Sequence, residues 1–119
     1  MNIGIKGKSS AHLHENIIMP DRQFPVWFFY YEHENPSNVF ALHWHEQIEF
    51  IYVKTGSMQI ECGNRILMAY PGDLVVINSN EYHICAKAHG PLFLYCIIAD
   101  MSLLNSRLFD VCERIYTLP

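Results

Sequence analysis

The sequence predicts an all-β sandwich or small barrel closed by a C-terminal helix. Three observations lead there. From Val26 onward, short apolar runs alternate with Gly, Pro and Asn signals at nearly regular spacing, which gives about eight strands. Half of the 119 residues are hydrophobic and 17% are charged, the balance of one compact domain with a real core rather than of a disordered chain. After residue 100 the period changes: Leu104, Leu108, Val111, Cys112 and Ile115 fall at offsets 0, 4, 7, 8 and 11, one face of a helix.

Residues 1–23 are weakly patterned and read as an N-terminal arm; residues 24–100 carry the β pattern. Val26 to Tyr31 is an aromatic-rich strand, ended by the loop composition Glu32-His33-Glu34-Asn35-Pro36-Ser37-Asn38. Val39 to His45 and Gln47 to Val53 are the next two runs, and Thr55-Gly56-Ser57 reads as a turn. Met58 to Cys62 alternates, Gly63-Asn64 is a hairpin signal, and Arg65 to Ala69 returns. Met58, Ile60 and Cys62 share one face and read as core. Turns at Pro71-Gly72-Asp73, Asn78-Ser79-Asn80-Glu81 and His89-Gly90-Pro91 separate the runs Leu74 to Ile77, Tyr82 to Lys87 and Leu92 to Ile98. Residues 101–119 form the helical segment, which either packs on its own barrel or continues in a longer chain.

Eight basic residues against twelve acidic ones leave a net charge of −4, and the basic residues are scattered, so no broad basic face for nucleic acid is expected. No apolar run approaches the ~18 residues of a membrane span. The N-terminus Met1-Asn2-Ile3-Gly4 opens no apolar stretch of the secretory kind. Cys62, Cys85, Cys96 and Cys112 form no CxxC pair and read as buried free thiols of a cytoplasmic protein.

Four residues carry the chemistry: His43, His45, Glu49 and His83. The first three are separated by two and four positions, so on a strand all three point to one face. That face is expected to be the interior, because Ile51 and Val53 continue the odd-numbered series. Ligand-type side chains aimed into a barrel are costly unless something satisfies them. A divalent metal would do so: three imidazoles and a carboxylate suit Zn, Ni, Mn, Fe or Co. A hydrogen-bonded, metal-free polar pocket is the alternative, and the residue types leave both open. His83 has to arrive from a strand across the barrel. Gln47 lies on the same inward series, where it can bond a ligand or water. Tyr30, Tyr95 and Trp27 can stack on a ligand ring or pack the core. Trp44 faces away from the histidines, toward sheet packing or an interface.

The segment His43-x-His45-x3-Glu49-x6-Gly56 resembles the first cupin motif, and Gly72-x5-Asn78-x-Asn80-x2-His83 the second. All four metal-ligand types of cupins fall at matching positions. The chain departs from the pattern at Ser37 and Asn80, where cupins carry glycine, at Asn78 in place of proline, and at Lys87 in place of asparagine. Pro71-Gly72-Asp73, a strand, then Asn78-Ser79-Asn80-Glu81-Tyr82-His83 is similar to the sensor domain of AraC-family transcription regulators, as is His43-Trp44-His45 followed by Glu49 and Gly56. This likeness covers about residues 24–105. It implies a cupin double-stranded β-helix, a jelly-roll-like small barrel that binds a small-molecule effector, a sugar or similar polar metabolite, and forms a homodimer. DNA would be contacted only through a C-terminal domain that these 119 residues do not include. The ligand-binding residues implied are His43, His45, Gln47, Glu49, His83 and Tyr95, with or without a metal on His43, His45, Glu49 and His83. In such regulators the arm before the first strand can fold over the ligand. The competing expectation is a stand-alone metal-dependent cupin enzyme, an isomerase or dioxygenase, for which no separate general acid or base stands out. A third is a dimerisation module that pairs through the Leu104 to Ile115 stripe.

Overall fold

The computed structural model describes residues 13–36, 39–103 and 115–117. Six strands make one all-β sheet: β1 (Val26–His33), β2 (Ile48–Cys62), β3 (Arg65–Ala69), β4 (Asp73–Ile77), β5 (His83–Ala99) and β6 (Ile115–Thr117). The order is β1-β5-β2-β4-β6, with β3 paired to the far half of β2, and every pairing is antiparallel.

The frame is one long ribbon. The 15 residues of β2 and the 17 of β5 pair from Ile48↔Ala99 to Cys62↔His83. Thr55-Gly56-Ser57 and His89-Gly90-Pro91, expected as chain reversals, lie opposite one another inside this ribbon, where the register shifts. They bend the strands without ending them. Glycine and proline signal a departure from regular backbone, and a bulge needs that departure as much as a turn does. At Gly56, φ is +81°, and a Cβ there would sit 2.4 Å from the Pro91 carbonyl oxygen. Two pairs of expected strands therefore merge; with Val39 to His45 not a regular strand and Ile115–Thr117 added, the described residues hold six strands where eight were expected.

The bend also switches parity. Before it, Glu49, Ile51 and Val53 are buried; after it, Met58, Ile60 and Cys62 are. In β5 the buried series runs His83, Cys85, then Leu92, Leu94, Cys96 and Ile98. One extra residue moves a side chain to the opposite face, so both halves of each strand present their apolar series to one interior. The core is built from Ile51, Val53, Met58, Ile60, Leu92 and Leu94, all about fully buried. Burying each such side chain stabilises the fold by roughly 1.5–3 kcal/mol.

Real reversals occur at Gly63-Asn64, where φ of Gly63 is +57°, and at Pro71-Gly72. Val39 to His45 is not a regular strand. It is held by two isolated bridges, His43↔His83 and His14↔Trp44, the second tying residues 13–15 of the arm to the barrel. The expected C-terminal helix falls mainly on residues 104–114, which lie outside the described residues, as does Cys112. Where the chain is described again, Ile115–Thr117 is a strand paired to β4, so Ile115 does not continue a helical stripe. Among the described residues, no helix is long and apolar enough to cross a membrane. Cys62, Cys85 and Cys96 are buried free thiols. Burial pushes Cys62 up to about 12 and Cys85 up to about 11, so neither is a thiolate at neutral pH.

Candidate metal centre

The curled ribbon makes the site. In a straight ribbon Glu49 and the Cys62–His83 pair would be ~40 Å apart, at ~3.3 Å per residue. Instead His83 Nε2 lies 3.5 Å from Glu49 Oε1, so the two ends of the ribbon meet across the barrel. His45 precedes β2 and its Nε2 is 3.1 Å from the same oxygen. His43 comes from the bridge to His83, with ring centroids 4.1 Å apart. One ligand atom from each of His43, His45, Glu49 and His83 lies within 4.8 Å of all the others.

Each imidazole is aimed by its own backbone surroundings. The Nδ1–H of His43 donates to the Ala41 carbonyl at 2.6 Å, that of His45 to Gln47 at 3.0 Å, and that of His83 to Glu81 at 2.9 Å. A carbonyl can only accept, so these bonds place a proton on Nδ1 and turn Nε2 toward the centre. Such outer hydrogen bonds are how proteins orient metal-ligating histidines. The carbonyls are themselves held. Glu81 binds Arg65 at 3.0 Å and accepts the Asn78 amide at 3.2 Å, while the Asn80 amide donates to the His45 carbonyl at 2.8 Å. The turn at 78–81 thus clamps both histidine-bearing segments.

Charge in the cluster is uneven. Burial pushes Glu49 up, but the imidazoles of His45 and His83 outweigh it and hold the carboxyl down at about 2. An ionised Glu49 accepts only, which favours a second proton on His45 Nε2. Burial works against that proton, yet the Glu49 carboxylate raises His45 above the usual imidazole value. His43 is lowered, by burial first and by the His83 ring next. His83 Nε2 is buried with no hydrogen-bond partner. An orphaned buried nitrogen facing an ionised carboxylate and two further imidazoles fits a cation at the centre. The donor set, three nitrogens and one carboxylate oxygen, suits a first-row divalent transition metal.

A cavity of about 560 Å³ opens beside the cluster. Its titratable polar residues at the cluster end are His14, Glu15, His43 and Glu49. Trp27, Phe29, Tyr31, Phe40, Leu94 and Ile98 form much of the rest. Glu15, from the arm, places Oε1 3.3 Å from His43 Nε2.

Of the six ligand-binding residues expected, the structure brings His43, His45, Glu49 and His83 together. Gln47 is buried and supplies the carbonyl that orients His45, but it is not among the cavity-lining residues, and its Oε1 has no partner. Tyr95 does not reach the site. Leu94, Cys96 and Ile98 point to the cavity, so Tyr95 alternates to the outer face, 5.9 Å from the Phe28 ring. Tyr30 lies outward as well, whereas Trp27 does line the cavity. Sequence reasoning passed over Glu81 as a turn residue; the pattern Asn78-x-x-Glu81 was its available signal. Nothing local in the arm marked Glu15.

The closed β frame and its motif histidines define the class of protein as a cupin. Solved structures agree on the fold. A cupin 2 conserved barrel domain protein from Rhodopseudomonas palustris aligns with TM-score 0.54 at 21% identity, over 86% of this chain and 63% of its own. A protein assigned as a mannose-6-phosphate isomerase from Ralstonia eutropha aligns with TM-score 0.51 at 18% identity, over 70% of this chain and 80% of its own. The Schizosaccharomyces pombe Cnp3 cupin domain aligns with TM-score 0.50 at 12% identity, over 77% of this chain and 66% of its own. No curated protein matches the chain. The profile of the AraC-like ligand binding domain matches residues 26–110, and the chain belongs to that family.

Proposed function

We propose that this domain binds a small-molecule effector in the cavity beside His43, and that His43, His45, Glu49 and His83 hold a divalent transition metal there. The observation that carries the reading is the convergence of three imidazole Nε2 atoms on Glu49, each aimed by a carbonyl on its own Nδ1. When bound, the metal supplies a Lewis-acidic anchor for an effector oxygen. The chain's own residues do the remainder: aromatic walls exclude water, Glu49 balances charge, and the turn at 78–81 keeps the histidines in place.

Family membership supports a regulatory role rather than catalysis. In that role the domain is the sensing and dimerising half of an AraC-type transcription regulator of the cytoplasm, with DNA contacted by a separate C-terminal domain. Effector binding shifts a pre-existing equilibrium between arrangements of the halves, by no more than its differential affinity for them. Elemental analysis of purified protein is the test. One equivalent of a transition metal in the wild type and none in His83→Ala supports the centre; equal contents in both proteins reject it. Metal-dependent turnover of a sugar phosphate or diketone would move the domain to the cupin enzymes instead.

A further inference from the structure

Resting on the effector-binding reading, we infer that the cavity takes an amphipathic carboxylate: an acid head at His43 and an apolar, ring-bearing body against the aromatic walls. The described wall offers few partners to a polyol. Apart from the four residues at the cluster end, the described lining offers the Trp27 indole N–H, the Tyr31 hydroxyl and the Cys96 thiol as its side-chain polar groups. Among the described residues it holds no Asn, Gln, Ser, Thr, Lys or Arg. A sugar carries hydroxyls on every side, and each one facing hydrocarbon without a partner loses its hydration with nothing to offset the loss. A body with one apolar surface and one polar end meets this lining without that cost. Trp27, Phe29, Tyr31 and Phe40 supply flat rings that favour an aromatic or cyclic body.

The head is identified by what already occupies its place. Glu15 reaches in from the arm, with a side chain 48% exposed, and sets a carboxylate oxygen 3.3 Å from His43 Nε2 at the cavity end. The protein's own carboxylate therefore fills the position that an effector acid would take. The charge count agrees. A divalent ion with Glu49 leaves one positive charge, which a single further carboxylate neutralises. The Glu15 amide donates to the Trp44 carbonyl at 2.9 Å, so its backbone is held to the barrel while its half-exposed carboxylate is free to swing to solvent.

The probe is 3-phenylpropanoate, compared with its amide, with 3-phenylpropylamine and with D-galactose. Binding is read by tryptophan fluorescence and by the visible spectrum of cobalt(II)-loaded protein. Phenylpropanoate should bind at least about tenfold tighter than the other three. Glu15→Gln should tighten it by about three- to tenfold, because an internal competitor lowers the fraction of open sites. Preference for galactose or for the amine would overturn the acid head while leaving effector binding standing. Unchanged affinity in Glu15→Gln would overturn the displacement. If none of the four compounds moves either signal, the effector-binding reading falls with it.

A different observation carries a second inference. The outer face of the β1-β5-β2 region is aromatic: Tyr30, Tyr95 and Tyr52 form one row by register, and Phe28 and Ile97 sit in the next. Phe28 is 57% and Tyr30 63% exposed. Phe93 is flanked by Glu32 on β1, its register partner, and by Lys54 on β2, whose Nζ lies 5.4 Å from the Phe93 ring. We propose that a second copy of this chain packs face to face here. A twofold axis parallel to β5 lays β1 of one copy over β2 of the other, so Lys54 meets the partner's Glu32 while Tyr95 meets its own symmetry mate. Light scattering should give twice 13.9 kDa. Lys54→Glu should weaken the dimer, and Lys54→Glu combined with Glu32→Lys should restore it. A monomeric wild type, or a double variant no better than the single one, rejects this face.

Discussion

The cluster and the cavity beside it are neighbours built on opposite terms. In the cluster each imidazole is fixed by a hydrogen bond to a carbonyl two residues away, and one of these, that of Glu81, belongs to a clamped turn. In the cavity the walls are aromatic and aliphatic side chains with few polar anchors. The first arrangement is preorganised, because hydrogen bonds have direction and leave one geometry. The second excludes water without direction and fits a body of suitable size. Metal affinity should therefore depend sharply on a few cluster residues, whereas effector choice should depend on wall shape.

Removing the acceptor at the centre gives the largest effect. Glu49→Ala leaves three imidazoles without their carboxylate and should reduce metal affinity by more than about 100-fold, measured by competition with a chelating dye. Retained affinity would mean that Glu49 is not a metal ligand.

Acid should separate the two regions next. Glu49 favours an extra proton on His45, and metal needs that Nε2 lone pair, so metal and proton compete there. Apparent metal affinity should fall by about tenfold for each pH unit below the raised His45 value. Without metal the sign differs. Glu49 is depressed to about 2, so its contribution is full above the usual 4.5 and is lost as the pH drops through 2. His45 is raised, so its contribution is full below 6.5 and is lost as the pH climbs through the raised value. Thermal melts should thus place the metal-free optimum between these limits and the metal-loaded optimum higher.

Two smaller effects sharpen the contrast. Glu81→Ala frees the turn that holds His83 and should cost about tenfold in metal affinity. Phe29→Leu reshapes a cavity wall and should leave metal affinity within about twofold while weakening an aromatic ligand measurably. If Phe29→Leu matched Glu81→Ala in its effect on metal, the two regions would not be separable.

The sequence was legible where period and chemistry coincide. The spacing of His43, His45 and Glu49, with Ile51 and Val53 continuing the series, put them on one inward face, and the buried cluster bears that out at His45 and Glu49. The Met58, Ile60 and Cys62 core read correctly for the same reason. What could not be read is what a bend does at a distance. Thr55-Gly56-Ser57 announces a backbone departure, and only its partner strand decides between reversal and bulge. Residue type alone offers Tyr95 as a ring for a ligand, and only the alternation of β5, with Leu94, Cys96 and Ile98 at the cavity, turns it outward. Glu15 meets His43 through a bridge between segments some thirty residues apart, a pairing with no local pattern.

X-ray absorption at the K-edge of zinc-loaded protein tests the centre most directly. Three imidazole nitrogens and one carboxylate oxygen at about 2.0–2.2 Å are the predicted shell. A shell with sulfur, or with fewer than three imidazoles, would contradict the convergence of His43, His45 and His83 on Glu49.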